Sequence, residues 1–357
     1  MKRPDLPFSP HQATRILVIK FRHHGDMLLT TPVIRSLKAA FPDAKIDVLL
    51  YEETRAMLAC HPDINQIYAI DRNWKKQGVR YQLSQEWQLL RMLRSQQYDI
   101  VLNLADQWRS ALITRFTGAP VRLGFDIPKR RGALWQRCHT QLVPTATHQN
   151  LHTVEQNLSL LAPLQLHTLD ATVGMHYAAS DRQRVTTLLN GVKKYIVVQP
   201  TSRWFFKCWS DEKFAAVVQA LHDDGHTLVL TSGPDSKEQA MVENIKARLP
   251  SAENVISLAG LLTLNELAAL IDVAELFIGV DSVPMHMAAA LQTPCVALFG
   301  PSKLIFWRPW QVNGEVIWAG DFAPLPDPDA VDTTTAERYL DAIPVETVLA
   351  AARRLLA

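Results

Sequence analysis

The sequence predicts an α/β protein made of two doubly wound parallel sheets in tandem. Three observations carry that reading. Strands and helices alternate along the chain, the alternation restarts near residue 195, and 357 residues suffice for two domains. In the first half, 15–21 (RILVIKF) is an apolar, β-branched strand, followed by the loop RHHGD and a helix from about 27 to 40. Strands follow at 45–50, 66–70 and 98–104, with a helical stretch at 54–59 and helices at 84–96 and 110–117. A polar stretch, 178–194, suits a helix and a connection between domains. The second half places strands at 195–199, 227–231, 255–257, 276–280 and 295–299, the last completing the sheet. Its helices are expected at 211–223, 236–249, 264–273 and 285–291. Residues 321–332 read as an irregular Pro- and Asp-rich connection and 344–356 as a last helix. The domains divide as 1–177, 178–325 and a tail, 326–357. Two doubly wound halves imply a deep cleft lined by strand carboxyl ends.

Composition narrows the function classes. Apolar residues make up 48%, charged residues 20% and net charge is +2, so nothing drives nucleic-acid binding by charge alone. Cys60, Cys138, Cys208 and Cys295 are far apart and form no CxxC pair, which points to reduced thiols in a cytosolic setting. The first fifteen residues carry charge but no apolar core, so they do not read as a signal peptide. No uninterrupted apolar run of about 18 residues exists. No two glycines are spaced GxG and no GxxxxGK occurs, which disfavours a dinucleotide fingerprint and a P-loop. The one D-x-D, Asp327-Pro-Asp329, sits in the Pro-rich tail.

The most informative stretch is 276–302, LFIGVDSVPMHMAAALQTPCVALFGPS: buried strand, short loop, helix, buried strand. Ser282 is a natural N-cap and Pro284 suits the first helical position. Asp281, Ser282 and His286 therefore stand where a helix begins at a strand's carboxyl end, a place that holds phosphate or diphosphate. Gly25-Asp26 follows the first strand; Asp26 is either an N-cap or a general base at the cleft. Lys207, in PTSRWFFKCW, is either a solvated charge or, with Thr201 and Ser202, a donor set for phosphate oxygens. Trp204, Phe205, Phe206 and Trp209 suit packing. Gly233 and Asp235 end a strand, where a carboxylate either takes ribose hydroxyls or caps the next helix. Lys75, Lys76 and Arg80, and Lys129, Arg130 and Arg131 near Trp135, form basic clusters, solvated faces on their own. Adjacent His23 and His24 make a poor metal pair.

Taken together, Gly25-Asp26-Met-Leu-Leu-Thr-Thr-Pro, Lys207-x-Trp209 and Asp281-Ser282-x-x-x-His286-x-Ala-Ala-Ala resemble the ADP-heptose:lipopolysaccharide heptosyltransferases, glycosyltransferase family 9. The resemblance covers nearly the whole chain and is greatest to the type III branch, which adds the branching heptose of the inner core. It implies a GT-B fold and inverting transfer from ADP-heptose to a lipopolysaccharide inner-core acceptor, with neither metal nor other cofactor. It further implies a monomer in the cytosol, in peripheral contact with the inner membrane, and a last helix that returns to the N-terminal, acceptor-binding domain. Residue by residue, it makes Asp26 the base and gives Gly25 a place beside the substrate. Thr201, Ser202 and Lys207 become diphosphate ligands, and Gly233 and Asp235 ribose neighbours. Leu262 becomes an adenine contact, and Asp281, Ser282, Val283 and His286 surround sugar and phosphates. Arg22, Arg122, Lys129, Arg130 and Arg131 are expected on the acceptor. Val283 replaces the family's usual glycine, and aromatics stand where its lysine loop is commonly polar. The competing readings are a two-domain nucleotide-sugar epimerase and a non-catalytic ADP-sugar-binding protein of lipopolysaccharide assembly.

Overall fold

The computed structural model describes residues 13–130 and 132–357. Two compact units divide between Val173 and Gly174, just before the expected boundary at 177. The first unit carries β1 (Arg15–Ile19), β2 (Lys45–Tyr51), β3 (Ile64–Ile70), β4 (Ile100–Asn103), β5 (Val121–Asp126) and β6 (Gln141–Pro144). They pair in parallel in the order β3-β2-β1-β4-β5-β6. Central strands β1 and β4 are buried on both faces, which is why they read as unbroken Ile, Leu and Val.

Both β5 and β6, with the helices Ala133–Cys138 and Thr153–Ser159 beside them, lie in a region where sequence reading named no element. Gly124 of β5 is there because a Cβ would sit 2.5 Å from the His139 ring. His139 is buried. Its Nδ1 lies 2.9 Å from the Trp135 carbonyl and its Nε2 3.0 Å from Asn103 Nδ2. The carbonyl can only accept, so Nδ1 carries the proton and Nε2 accepts from the Asn103 amide. Both nitrogens are thus satisfied by the neutral ring, and burial pushes its pKa down.

The second unit carries β7 (Ile196–Gln199), β8 (Leu228–Leu230), β9 (Val255–Ser257), β10 (Leu276–Val280), β11 (Cys295–Phe299) and β12 (Gly314–Trp318). Its order is β12-β11-β10-β7-β8-β9. The sheet does not end at β11 as expected. β12 adds a short edge strand, Gly-Glu-Val-Ile-Trp, in which only Ile317 is buried, so its apolar signal is weak. Counted from its own first strand, each unit has the order 3-2-1-4-5-6, which reverses between its first and fourth strands. Ligands of such sheets bind at that reversal, outside the strand carboxyl ends.

The last helix is Val345–Leu356. It belongs to the second unit, where Val348, Ala351 and Ala352 are buried in that unit's own core. Arg353 and Arg354 tie its end to Asp224 (2.8 Å) and Glu315 (2.7 Å). Among the described residues, no helix is long and apolar enough to cross a membrane. Cys138, Cys208 and Cys295 are buried free thiols and Cys60 is half-buried. Burial pushes Cys208 up to about 11 and Cys295 up to about 12.

Candidate active site

In the second unit the reversal falls between β7 and β10, and the expected residues gather there. Lys207 ends the turn Phe205–Lys207 after β7, and Asp281 follows β10 directly. Lys207 Nζ donates to Asp281 Oδ2 at 2.5 Å, and Ser302 Oγ donates to the same oxygen at 2.6 Å. Only 14% of the lysine side chain and 6% of the carboxylate's are exposed, so neither charge is tolerable without the other. An ammonium has three N–H donors, and this one spends one on Asp281. Trp204 lies 5.2 Å from the Lys207 ammonium and stacks with Phe206, so the aromatics wall the lysine.

A second network joins the ends of β7 and β8. Thr201 Oγ1 donates to Glu238 Oε2 at 2.6 Å, and the Gly233 amide reaches the same oxygen at 3.1 Å. Gln199 Nε2 donates to Thr201 Oγ1 (2.8 Å) and Thr231 Oγ1 to Gln199 Oε1 (2.7 Å). The Ser202 amide donates to Cys208 Sγ at 3.3 Å. Glu238 escaped sequence reading; a glutamate in the first turn after a strand-terminal glycine was its signal. Asp235 is exposed and accepts from Lys237 N at 2.9 Å, capping the helix Ser236–Ala247. Of its two readings the structure shows the cap. Leu262 is half-buried, between β9 and the helix Leu264–Ile271.

The helix Val283–Ala290 begins at the expected strand end. Two details differ. Ser282 stands at the N-cap, but its hydroxyl donates to the Val280 carbonyl at 3.2 Å, and Pro284 is second in the helix, not first. His286 is buried within the first turn, its ring edge-on to Trp307 at 6.4 Å.

In the first unit the reversal lies between β1 and β4. Gly25 and Asp26 fall inside a short helix, His24–Leu28, preceded by His23, while Thr30 precedes the helix Thr31–Ala40 and its hydroxyl donates to the Asp26 carbonyl. Asp26 is therefore not an N-cap. Lys20, which sequence reading passed over, is buried beside it: its Nζ donates to Asn157 Oδ1 at 3.0 Å, and Asn157 Nδ2 donates to the Leu29 carbonyl at 2.9 Å. Burial pushes the Lys20 pKa down, and the nearby Asp26 charge pulls it up. A lone lysine closing an apolar strand was the available signal.

The expected acceptor cations separate. Arg22 pairs with Asp106 at 2.9 Å and Arg130 Nε donates to the Asp106 carbonyl at 2.8 Å, so these two come together. Lys129 is exposed. Arg131 lies outside the described residues. Arg122 is a correction: it sits near the amino end of β5, where its guanidinium donates to the carbonyls of Cys138 and Ala119, away from the ligand edge. A cavity of about 320 Å³ does open at the ligand edge beyond β2 and β3, lined by Tyr51, Asp71, Arg72, Trp74, Lys75, Gln82 and Arg109. Among the described residues no group of three or more His, Cys, Asp or Glu is placed to hold a metal ion.

Comparison with known proteins gives this geometry a family. The profile described as "Glycosyltransferase family 9 (heptosyltransferase)" matches residues 86–337, well over half of the chain. This chain belongs to glycosyltransferase family 9. It is 46% identical over 338 residues to lipopolysaccharide heptosyltransferase 3 of Escherichia coli, covering 94% of this chain and 97% of that protein. Among solved structures, the family 9 glycosyl transferase of Veillonella parvula superposes with a TM-score of 0.82 at 23% identity, covering 98% of both chains. Escherichia coli ADP-heptose lps heptosyltransferase II gives 0.77 at 24% identity, over 96% of this chain and 98% of that one. The expected fold class, α/β of GT-B type with two doubly wound halves, is the one these family 9 structures share with it.

Proposed function

We propose that this glycosyltransferase moves heptose from ADP-heptose to a heptose of the lipopolysaccharide inner core, with inversion and with no metal ion. One observation carries the reading. A buried lysine is locked by an aspartate at the strand reversal of the second unit, beside a helix start. The departing diphosphate gains negative charge, and a pre-positioned ammonium with helix-end N–H groups stabilises it without reorganising. Asp281 holds Lys207 in place and cancels its own charge there, so the diphosphate meets donors and not a bare carboxylate. Thr201 and Ser202 supply hydroxyls, and Glu238 supplies the acceptor for ribose hydroxyls.

The first unit supplies the base. Asp26 takes the proton of the acceptor hydroxyl, which attacks the anomeric carbon from the face opposite ADP through an oxocarbenium-like transition state. Lys20, Arg22 and Arg130 give its surroundings the positive sign that an anionic acceptor needs. The identity to heptosyltransferase 3 supports the heptose-on-heptose assignment. We place the enzyme at the cytosolic face of the inner membrane, since its acceptor is a lipid conjugate.

The test is mass spectrometry of truncated inner-core lipopolysaccharide incubated with protein and ADP-heptose. One added heptose supports the reading. No addition, with ADP-heptose bound, overturns it in favour of another acceptor or a non-catalytic role.

A further inference from the structure

The helix Val79–Ser95 buries Leu89 and Leu93 and leaves its opposite side outward. Val79, Leu83 and Trp87, each four residues apart and so on one face, are 72%, 63% and 54% exposed. Trp87 meets Phe116 edge-on at 5.8 Å, which joins this stripe to the helix Trp108–Thr117 and its Leu112, 52% exposed. Isolated exposed apolar residues need no explanation; a contiguous apolar patch on a soluble surface does.

Charge says what covers it. Arg80 and Arg91 lie seven and four positions either side of Trp87, on the same row of the helix, and both are exposed. Lys75 and Lys76 stand exposed in the turn just before. None of these four cations is in an ion pair among the described residues. The helix has one acidic residue, Glu86, and Arg109 neutralises it at 2.6 Å. In the turn before it, the Asp71 carboxylate accepts from Asn73 N at 2.7 Å, and Glu53 is taken by Arg72 at 3.1 Å. What remains is an apolar, Trp-bearing stripe rimmed by unpaired positive charge, the pattern of a helix lying in the plane of an anionic bilayer.

We propose that this face of the first unit docks on the anionic lipid surface, with Val79, Leu83, Trp87 and Leu112 entering the headgroup layer and Arg80, Arg91, Lys75 and Lys76 on lipid phosphates. The proposal deepens the membrane-side reading above, and it assigns the surface that makes the contact. Each basic side chain near such a surface strengthens partitioning roughly fivefold.

The experiment is co-sedimentation of the full chain with phosphatidylglycerol-rich vesicles and with neutral phosphatidylcholine vesicles. Leu83→Ser/Trp87→Ser and Arg80→Gln/Arg91→Gln are the variants, and all proteins are also assayed for transfer to a deacylated, water-soluble inner-core acceptor. Wild type should bind the anionic vesicles, and each double variant should bind about tenfold or more weakly while transfer to the soluble acceptor is kept. Equal binding to both vesicle types, or variants that bind like wild type, overturns the proposal. A wild-type dimer that Leu83→Ser/Trp87→Ser dissociates, with no vesicle binding, overturns it in favour of a face between two copies. Failure of wild type to modify the soluble acceptor tells against the proposed transfer alone, since vesicle binding is read separately.

Discussion

The two units share one strand order, yet at the strand reversal they set their charges in opposite sense. In the second unit the proposed working group is a cation, Lys207, and a buried carboxylate, Asp281, grips it at 2.5 Å. In the first unit the proposed working group is a carboxylate, Asp26, and a buried cation, Lys20, stands by it; the lysine's hydrogen bond goes to Asn157, and it reaches Asp26 through its field. A gripped group is a fixed electrostatic post, suited to charge that appears on a leaving diphosphate. An ungripped carboxylate can accept a proton. The same scaffold is thus specialised by which charge is tied down.

Asp26→Asn tests the ungripped half and should have the largest effect. Transfer should fall by roughly 100- to 10,000-fold, the range a positioned base supplies, with ADP-heptose binding by calorimetry kept. Full activity in this variant would remove the base from the first unit and the comparison with it.

Lys207→Met attacks the gripped half. It strands the Asp281 carboxylate out of water, which should cost on the order of 3–5 kcal/mol of stability. Transfer should fall about 100-fold or more. Adding Asp281→Asn should recover much of the stability and none of the rate. Calorimetric melting with a coupled ADP-release assay separates the two; recovery of the rate would mean that Lys207 serves the fold only.

Acid should distinguish the units next. His24, His139 and His148, all in the first unit, have pKa values pushed below the ordinary value of about 6.5 by burial. As pH falls through that value, the unfolded chain binds protons that the folded histidines resist. Their contribution is therefore whole above about pH 6.5 and is lost between there and the folded values. Hydrogen exchange at pH 5.5 should show the first unit losing protection before the second. Equal loss in both units would count against it.

The smallest effect separates two carboxylates of one corner. Asp235→Ala should cost about 1 kcal/mol as a lost helix cap and leave ADP affinity unchanged. Glu238→Ala should weaken ADP binding, because Thr201 and the Gly233 amide lose their shared acceptor. Isothermal titration of ADP decides it; the reverse ranking would return the ribose to Asp235.

Sequence showed β1, β2, β4, β7, β8, β10 and β11, because strands buried on both faces must be apolar almost without a break, and it placed β9, β10, β11 and the helix Asp211–Asp223 to the residue. It missed β5, β6 and β12, whose own residues break the apolar pattern. There polar residues, proline or glycine interrupt the run, as Gly124 makes room for His139, and no periodic signal survives. Site legibility followed a similar rule. Asp26, Lys207 and Asp281 were visible because strand-to-helix loops have few places for charge. Glu238, Ser302 and Lys20 were not, since what recruits them is a partner distant in the chain. The last helix has the same root: its apolar stripe announces burial and is silent about which core receives it.

The buried thiols carry a practical consequence. Cys138 lies inside the first unit, and Cys208 and Cys295 inside the second, all with pKa values raised by burial. A thiolate-seeking alkylator at neutral pH should therefore find them only when their surroundings open, with half-buried Cys60 as the native background. Timed pulses of such a reagent, read by mass after digestion, would clock the opening of each unit separately in the unaltered enzyme.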